Sequence, residues 1–300
     1  MAIETTPRFA SVDDVLTRLA DVGYLASDAI ATTVYLAEAL GKPLLIEGPA
    51  GVGKTALAAA VANATSSELI RLQCYEGVDE ARALYEWNHA KQLLRITAAG
   101  AGHAEGAQWD EVHSDIFTDE FLLARPLLRA IRSERPAVLL VDELDKADVE
   151  IEGLLLEVLG DFQVTVPELG TMTATHRPFV VLTSNATREL SEALRRRCLF
   201  LHIDYPEADL ERRIVELTVP DLDDALVASL VRLVRALRGQ RLRKAPSVAE
   251  TIDWARTLET LGVDELTPAW VRETLGVVLK HQDDILRASA TLDLDRDLTR

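Results

Sequence analysis

The sequence predicts an α/β fold in which a five-stranded parallel P-loop sheet, flanked by helices, precedes an all-helical domain. Three observations predict it. Short, continuously apolar runs of the kind found in buried parallel strands alternate with helical patterns in the first 205 residues. A glycine-rich turn joins the first of these runs to an alanine-rich, helix-prone segment. After Pro206 only helical periodicity remains.

In chain order, apolar residues at helical spacing predict two helices within residues 11–40, on either side of Gly23. The five strands are expected at residues 43–47, 69–73, 137–141, 179–183 and 200–203. Helices are then expected at residues 210–217, 223–237, 247–261 and 268–281. We therefore place the domain boundary at Tyr205-Pro206, between an α/β domain (1–205) and an all-helical domain (206–300).

Two segments depart from the simple alternation of strands and helices. The connection over residues 79–135 is unusually long, and its alanine- and glycine-rich middle, residues 98–106, predicts a flexible loop. Residues 162–177 alternate apolar and polar side chains around a turn at residues 167–170, which predicts a β-hairpin.

Composition narrows the function classes. The 300 residues include 49 acidic and 32 basic side chains, a formal net charge of -17. Because nucleic-acid binding usually needs a basic surface, DNA or RNA is not expected as the main partner. The two cysteines are far apart, no apolar run reaches the roughly 18 residues of a membrane span, and the first residues lack a secretory pattern. We expect a cytoplasmic protein without a membrane span.

The first strand leads into a pattern typical of P-loop NTPases: two glycines separated by four residues, then Lys and Thr, placed between a strand and a helix. Backbone amides of such a loop point at phosphate oxygens, Lys54 is expected to reach the terminal phosphates, and Thr55 to ligate Mg²⁺. A turn that only caps the helix is the alternative. The predicted ATP-binding residues are Gly48, Pro49, Ala50, Gly51, Val52, Gly53, Lys54, Thr55, Ala56 and Asp142.

Two carboxylates follow the third strand. The apolar run 137–141 ends in Asp142 and Glu143, at the edge of the sheet where ligands bind in open α/β folds. This is the Walker B arrangement, in which Asp142 is expected to hold Mg²⁺, directly or through water, and Glu143 to polarise the attacking water. In the alternative, both acids only cap the helix that follows.

Further polar residues follow the fourth strand. Asn185 is expected to lie beside the Walker B strand and orient the attacking water, although asparagine is also an ordinary turn residue. Arg195, Arg196 and Arg197 precede the fifth strand. A helix spreads them around its circumference, so at most one or two can face a neighbouring subunit's nucleotide as an arginine finger. A solvated basic turn is the alternative.

In this order, these motifs resemble those of the AAA+ ATPases and are similar in detail to the MoxR family. The similar segments are residues 72–77, 141–147 and 182–185, together with Tyr205-Pro206. The resemblance implies a ring, expected to be a hexamer, in which Arg197, or else Arg196, acts in trans on the neighbour's nucleotide. It also implies an insertion in the second helix at about 84–102 and a hairpin before sensor 1 at about 162–175, both facing the pore.

One position departs from the MoxR pattern. Val248 occupies the slot of the sensor 2 arginine, so Lys244 or Arg243 is expected to replace it, with Lys244 preferred. Segments 71–77, 85–88 and 244–247 look like the CoxD-type branch. That branch is associated with maturation of molybdenum-copper carbon monoxide dehydrogenase and related enzymes, beside a protein with a von Willebrand factor A domain.

The expected function is that of an ATPase, converting ATP and water to ADP and phosphate with Mg²⁺, that remodels or matures a client metalloenzyme as a chaperone. Lys54, Glu143, Asn185 and Arg197 are the expected catalytic residues. One alternative is a monomeric P-loop kinase for small molecules, or a regulator, which would have no use for Arg197. The other is a DNA-acting AAA+ motor, which would bind DNA in a salt-sensitive way.

Overall fold

The computed structural model describes residues 7–100 and 115–291. The chain divides into two compact units. The first contains the residues up to Val22, then Ala26–Glu47 and Ala58–Leu201. The second contains Gly23–Leu25, Gly48–Leu57 and the residues from His202 onward, so the phosphate loop groups with the C-terminal helices.

The strands, in chain order, are β1 (Leu44–Glu47), β2 (Glu68–Gln73), β3 (Tyr85–Trp87), β4 (Leu122–Ala124), β5 (Ala137–Asp142), β6 (Gln163–Val166), β7 (Gly170–Thr173), β8 (Phe179–Ser184) and β9 (Leu199–His202). The helices are α1 (Val12–Asp21), α2 (Asp28–Ala39), α3 (Lys54–Ala64), α4 (Glu80–Ala83), α5 (His89–Gly100), α6 (Pro126–Ile131), α7 (Val149–Asp161), α8 (Glu192–Arg197), α9 (Ala208–Thr218), α10 (Asp224–Arg238), α11 (Val248–Thr260), α12 (Pro268–Val278) and α13 (Gln282–Thr291). None of the helices in the described residues is long and apolar enough to cross a membrane.

Five strands form one sheet in the order β2-β5-β8-β1-β9, which confirms the predicted fold class. The pairs β2–β5, β5–β8 and β8–β1 are parallel. Every residue of β1, β5 and β8 is buried, which explains their continuous apolar sequences, whereas the edge strand β2 is partly exposed. The carboxyl ends of β5 and β8 therefore bring their polar residues to one edge of the sheet.

The long connection between β2 and β5 contains regular structure that the sequence did not predict. β3 and β4 pair antiparallel across it, with Trp87 opposite Leu122. The loop predicted for residues 98–106 is wrong at residues 98–100, because α5 extends to Gly100 and alanine favours helix. Residues 101–106 of that prediction lie outside the described part of the chain.

The segment before β8 forms an antiparallel pair, with Val164 of β6 opposite Met172 of β7. The second unit contains the helices that the sequence predicts after Pro206, and they enclose an apolar core. The Trp254 indole is fully buried in this core and donates to the Thr274 hydroxyl at 2.8 Å. The buried Glu211 carboxylate accepts two bonds from Arg238 at 2.6 and 2.7 Å.

Candidate nucleotide-binding site

The phosphate loop leaves β1 and ends where α3 begins at Lys54. The Lys54 ammonium is buried and donates to the backbone carbonyls of Gly48 and Pro49, both at 2.7 Å. These two partners are neutral oxygens, which an anionic phosphate oxygen can replace with a gain in electrostatic energy. Thr55 lies in the first turn of α3, at an exposed position.

Glycine is required inside this loop. Gly51 has a positive φ of 76°, and a Cβ there would overlap the Ser247 side chain. The Ala249 amide donates to the Gly51 carbonyl at 3.2 Å. Within the second unit, the start of α11 is thus packed directly on the phosphate loop.

The Tyr24 ring lies next to the loop, a position that sequence reasoning missed. A Cβ at Gly53 would stand 3.7 Å from Cε2 of the Tyr24 ring. Burial raises the pKa of the Tyr24 phenol above its ordinary value, so the hydroxyl stays protonated at neutral pH. Only the helix-breaking glycine before Tyr24 marks this segment in the sequence, and it gives no sign of the contact.

Asp142 ends β5 with its carboxylate almost fully buried. One oxygen, Oδ1, accepts from the Thr183 hydroxyl on β8 at 2.5 Å. The other, Oδ2, accepts from the Arg71 guanidinium on β2 at 2.5 Å. The predicted Walker B aspartate is therefore held from both neighbouring strands, by two residues that were not predicted as site residues.

Glu143 follows in the left-handed region, with φ 55° and ψ 47°. Its amide donates to the Thr183 hydroxyl at 2.9 Å. The carboxylate has an amide group near each oxygen, with Asn185 Nδ2 at 3.5 Å from Oε1 and Gln73 Nε2 at 3.1 Å from Oε2. The structure thus brings Glu143 and Asn185 together, and it adds Gln73.

Asp145 binds the turn that carries Asn185. Its carboxylate accepts from the backbone amides of Asn185 and Thr187, both at 3.1 Å, and from the Thr187 hydroxyl at 2.5 Å. Ala186, between them, has a positive φ of 55°. Burial alone would raise the pKa of Asp145, but these hydrogen bonds outweigh it and the pKa is lowered. Asp145 is therefore a carboxylate at neutral pH.

The thiol beside this cluster is not a candidate nucleophile. Cys74 follows β2 and its amide donates to the Asp142 carbonyl at 2.8 Å. Burial, reinforced by the charges of Asp142, Asp145 and Glu143, raises the pKa of Cys74 to about 12. The thiolate is the reactive form, so this side chain is inert at neutral pH.

The three arginines of α8 have different partners. Arg195 forms an ion pair with Glu47 at 2.5 Å. Arg197 donates to the Leu156 carbonyl of α7. Arg196 is the most exposed, with 82% of its side chain accessible, and lies 3.4 Å from Glu192.

The region proposed for sensor 2 is held by acids of its own unit. Val248 is buried at the first position of α11. The Lys244 ammonium pairs with Glu250 at 3.0 Å, and the amides of Arg243 and Lys244 donate to Asp284 at 2.8 and 3.2 Å. Lys244, the preferred substitute, thus carries its ammonium group on an acid of α11.

The chemistry of the predicted magnesium ligands suits the ion. A hydroxyl, as on Thr55, and a carboxylate, as on Asp142, are each hard oxygen ligands of the kind that Mg²⁺ prefers. The described residues contain no group of three or more His, Cys, Asp or Glu able to hold a metal by themselves. Such a sparse set suits Mg²⁺, which is usually bound by one or two protein oxygens together with phosphates and water.

Residues 44–205, more than half of the chain, match the family model for ATPases associated with various cellular activities (AAA). The chain belongs to the AAA family. The matched region begins at β1 and ends before the C-terminal helices, and it includes the phosphate loop, Asp142, Glu143 and Asn185. Membership of this AAA family supports ATP binding and ATPase activity in general.

Individual proteins that are similar to this chain share a quarter of its residues or fewer over the aligned region. The chain is 25% identical over 237 residues to an uncharacterized protein of Staphylococcus haemolyticus, covering 75% of this chain and 81% of the relative. It is 24% identical, with the same coverage, to an uncharacterized protein of Staphylococcus aureus. Among solved structures, a point variant of Thermotoga maritima RuvB aligns at 15% identity with a TM-score of 0.48, covering 96% of this chain and 73% of that one. The T. maritima RuvB described as a Holliday junction branch migration motor aligns at 17% identity with a TM-score of 0.45, covering 97% and 74%.

Proposed function

We propose that this protein hydrolyses ATP with Mg²⁺, acts as a ring, and uses hydrolysis to remodel a client metalloenzyme. The contact between Glu143 and Asn185 supports the hydrolytic part most directly. It pairs an acid with an amide at the carboxyl ends of adjacent strands, in the sheet whose strand β1 leads into the phosphate loop. In the alternative, a kinase for small molecules, the same acid would accept the proton of the acceptor's hydroxyl instead of polarising water.

Each proposed residue has a role set by its chemistry. Lys54 exchanges its two carbonyl partners for phosphate oxygens. Glu143 accepts a hydrogen bond from the attacking water, and Asn185 orients that water. Asp142 and the Thr55 hydroxyl would hold Mg²⁺, which supplies charge stabilisation to the transferring phosphoryl group.

We further propose that a neighbouring subunit completes the site in a ring, which we expect to be a hexamer. Arg197, or the more exposed Arg196, would reach the neighbour's nucleotide and stabilise charge in the transition state. Lys244 would exchange Glu250 for a phosphate oxygen and serve as the lid sensor. The regions proposed to face the pore are residues 84–102, of which 101 and 102 lie outside the described part of the chain, and residues 162–175.

The client proposal is supported by sequence similarity to the CoxD-type branch of MoxR proteins, in segments 71–77, 85–88 and 244–247. The client is then an enzyme of the molybdenum-copper carbon monoxide dehydrogenase type. A von Willebrand factor A-domain protein is the proposed partner, and the cytoplasm the proposed location. The net charge of -17 favours a protein client over a nucleic acid.

The catalytic assignments are tested by paired substitutions. Lys54→Ala should abolish nucleotide binding, whereas Lys42→Ala, which removes an exposed lysine before β1, should not. Glu143→Gln should bind ATP but hydrolyse it at least about a hundredfold more slowly. The matched control Glu150→Gln, at an exposed position in α7, should keep normal turnover. Normal hydrolysis by Lys54→Ala or Glu143→Gln would refute the assignment.

The ring is tested by sedimentation of Glu143→Gln with ATP, which should accumulate as the assembled form. Mixed with Arg197→Ala subunits, it should recover part of the turnover, because each protein supplies what its neighbour lacks. The same mixture with Arg196→Ala tests the alternative finger. If the protein sediments only as monomers in the presence of ATP, the ring is excluded. If turnover is recovered in neither mixture, with Arg197→Ala or with Arg196→Ala, a finger from α8 is excluded.

The client is tested by purifying the tagged Glu143→Gln protein from its native cell in the presence of ATP. Recovery of a von Willebrand factor A-domain protein and a molybdenum enzyme is expected. Repeated recovery of neither, while the ring itself is intact, would contradict the client proposal and leave the ATPase assignment standing.

A further inference from the structure

Arg71 is linked to both carboxylates of the Walker B pair, directly to Asp142 and through Gln73 to Glu143. Residues 71 and 73 of β2 point to the same face, because side chains alternate along a strand. The Arg71 guanidinium donates to Asp142 Oδ2 at 2.5 Å and also to Oε1 of Gln73. Gln73 in turn donates through Nε2 to Glu143 at 3.1 Å. One exposed arginine is thus connected to the proposed magnesium ligand directly and to the proposed catalytic base through one amide.

We propose that Arg71 is a built-in counter-cation for Asp142 that competes with Mg²⁺ and so sets how strongly nucleotide binding depends on the metal. This inference rests on the proposed function. Asp142 is 2% exposed, so its charge needs a partner when no metal is bound. Arg71 supplies that partner. The guanidinium at 2.5 Å from Oδ2 occupies one acceptor direction of that oxygen, and its positive charge opposes the arrival of a divalent cation there.

Arg71 is able to leave Asp142. Half of its side chain (51%) is exposed, compared with 3% for Asp142, so the cation can be rehydrated easily and the carboxylate cannot. Arg71 lines a cavity of about 590 Å³ whose wall includes Asp79 and Glu86. Glu86 pairs with Arg125 at 2.6 Å and Asp79 accepts from the Arg82 amide at 3.0 Å, so the wall of this cavity carries negative charge towards which a displaced guanidinium can turn.

Withdrawal of Arg71 would also affect the catalytic base. Gln73 Oε1 would lose its guanidinium donor, and the amide that holds Glu143 would then be free to reorient. Metal arrival at Asp142 would therefore be coupled to a change in the hydrogen bonding of Glu143. Arg71 could instead remain on Asp142 and orient it as a metal ligand. In that role it would strengthen metal binding, whereas a competing Arg71 weakens it.

The two roles predict opposite changes in one quantity, the effect of Mg²⁺ on the affinity for nucleotide. The dissociation constant of a fluorescent, non-hydrolysable ATP analogue is measured with excess Mg²⁺ and with chelator, and the ratio of the two constants gives the coupling between metal and nucleotide. For Arg71→Met, which removes the charge at similar length, we expect this coupling to increase by about five- to tenfold. Arg71→Lys, which keeps a cation, should stay within about twofold of the unsubstituted protein.

Arg129→Met is the matched control. Arg129 pairs with Glu68 at the other end of β2 at 2.8 Å, with both side chains about half exposed, so the same charge is removed from the same unit away from Asp142. In the Arg129→Met protein, the coupling between metal and nucleotide should not change. Arg71→Gln provides a second neutral variant, checked for folding by circular dichroism, and should change the coupling in the same direction as Arg71→Met.

An unchanged or smaller coupling in either neutral variant, with nucleotide still bound, would overturn the competition proposal. Failure of the unsubstituted protein to bind the analogue under either condition would instead refute the proposed nucleotide site. The two failures are therefore distinguishable in one experiment, without any measurement of turnover.

Discussion

Replacing Asp145 with asparagine is expected to slow ATP hydrolysis by displacing Asn185. The Asp145 carboxylate binds the backbone amides of Asn185 and Thr187 and the Thr187 hydroxyl. These amides lie on both sides of Ala186, whose left-handed conformation turns the chain directly after Asn185. The effect of Asp145 on hydrolysis should therefore pass through Asn185.

The magnitude follows from the hydrogen bonds. An asparagine at 145 offers one acceptor oxygen and one amide nitrogen, in place of two carboxylate oxygens. The Thr187 hydroxyl can rotate to accept from that nitrogen, but one of the two backbone amides, of Asn185 or Thr187, loses its acceptor. The full cost of leaving a buried N–H unpaired is about 1–3 kcal/mol, and these amides are only partly buried, so about 1 kcal/mol is expected here. A displacement of Asn185 by about 1 Å is enough to lower kcat by roughly tenfold to a hundredfold.

The assay is a double-mutant cycle on kcat, with nucleotide affinity measured separately. Asp145→Asn should lower kcat in the otherwise unsubstituted protein and change it by less than about threefold in the Asn185→Ala background. Thr274→Val is the stability control, because it leaves the buried Trp254 indole unpaired in the second unit. It should lower the unfolding free energy by about 1–3 kcal/mol without a comparable loss of kcat. Equal losses of kcat in both Asn185 backgrounds would refute the positioning role.

Three further predictions concern other parts of the chain. Gly51→Ala should abolish nucleotide binding measured by fluorescence titration, because a Cβ overlaps the Ser247 side chain at a positive φ; retained affinity would contradict this. Arg238→Met should lower the unfolding free energy in urea by about 3–5 kcal/mol, because it leaves the fully buried Glu211 carboxylate without its cation; a change below about 1 kcal/mol would contradict it. Cys74 and Cys198, whose pKa values burial raises to about 12, should resist alkylation at pH 8 until the protein is unfolded, as followed by mass spectrometry; rapid labelling of the folded protein would show that the thiols are accessible.

The fold was predictable because its signals are local and redundant. The buried strands β1, β5 and β8 are apolar along most of their length, and each ends in a polar or glycine-rich turn. The phosphate loop combines an uninterrupted motif with the correct strand and helix on either side. The pair β3–β4 was missed because each strand has only three residues and the partner lies more than thirty positions away along the chain.

The neighbours of the site could not be predicted, since they are set by register between strands. Gln73 stands opposite Asp142 only because β2 pairs with β5 in one register, and a shift by one residue would turn Arg71 and Gln73 to the other face. Thr183 reaches both Asp142 and the Glu143 amide for the same reason, from β8. Arg71 and Gln73 were visible in the sequence as part of a family-like segment, but nothing in that segment indicated their contact with the carboxylates.

The arginine run shows how a structure narrows a choice that a sequence leaves open. Arg195 is paired with Glu47 and Arg197 is bonded to a carbonyl of α7, so each must give up a partner before it can reach a neighbouring subunit. Arg196 has an exposed contact with Glu192 at 3.4 Å, and exposed pairs of this kind contribute about 0–1 kcal/mol. Family resemblance selects Arg197, whereas the smaller energetic penalty selects Arg196. Mixed rings decide between the two criteria. The finger is the arginine whose alanine variant is inactive alone and regains turnover when it is mixed with Glu143→Gln subunits.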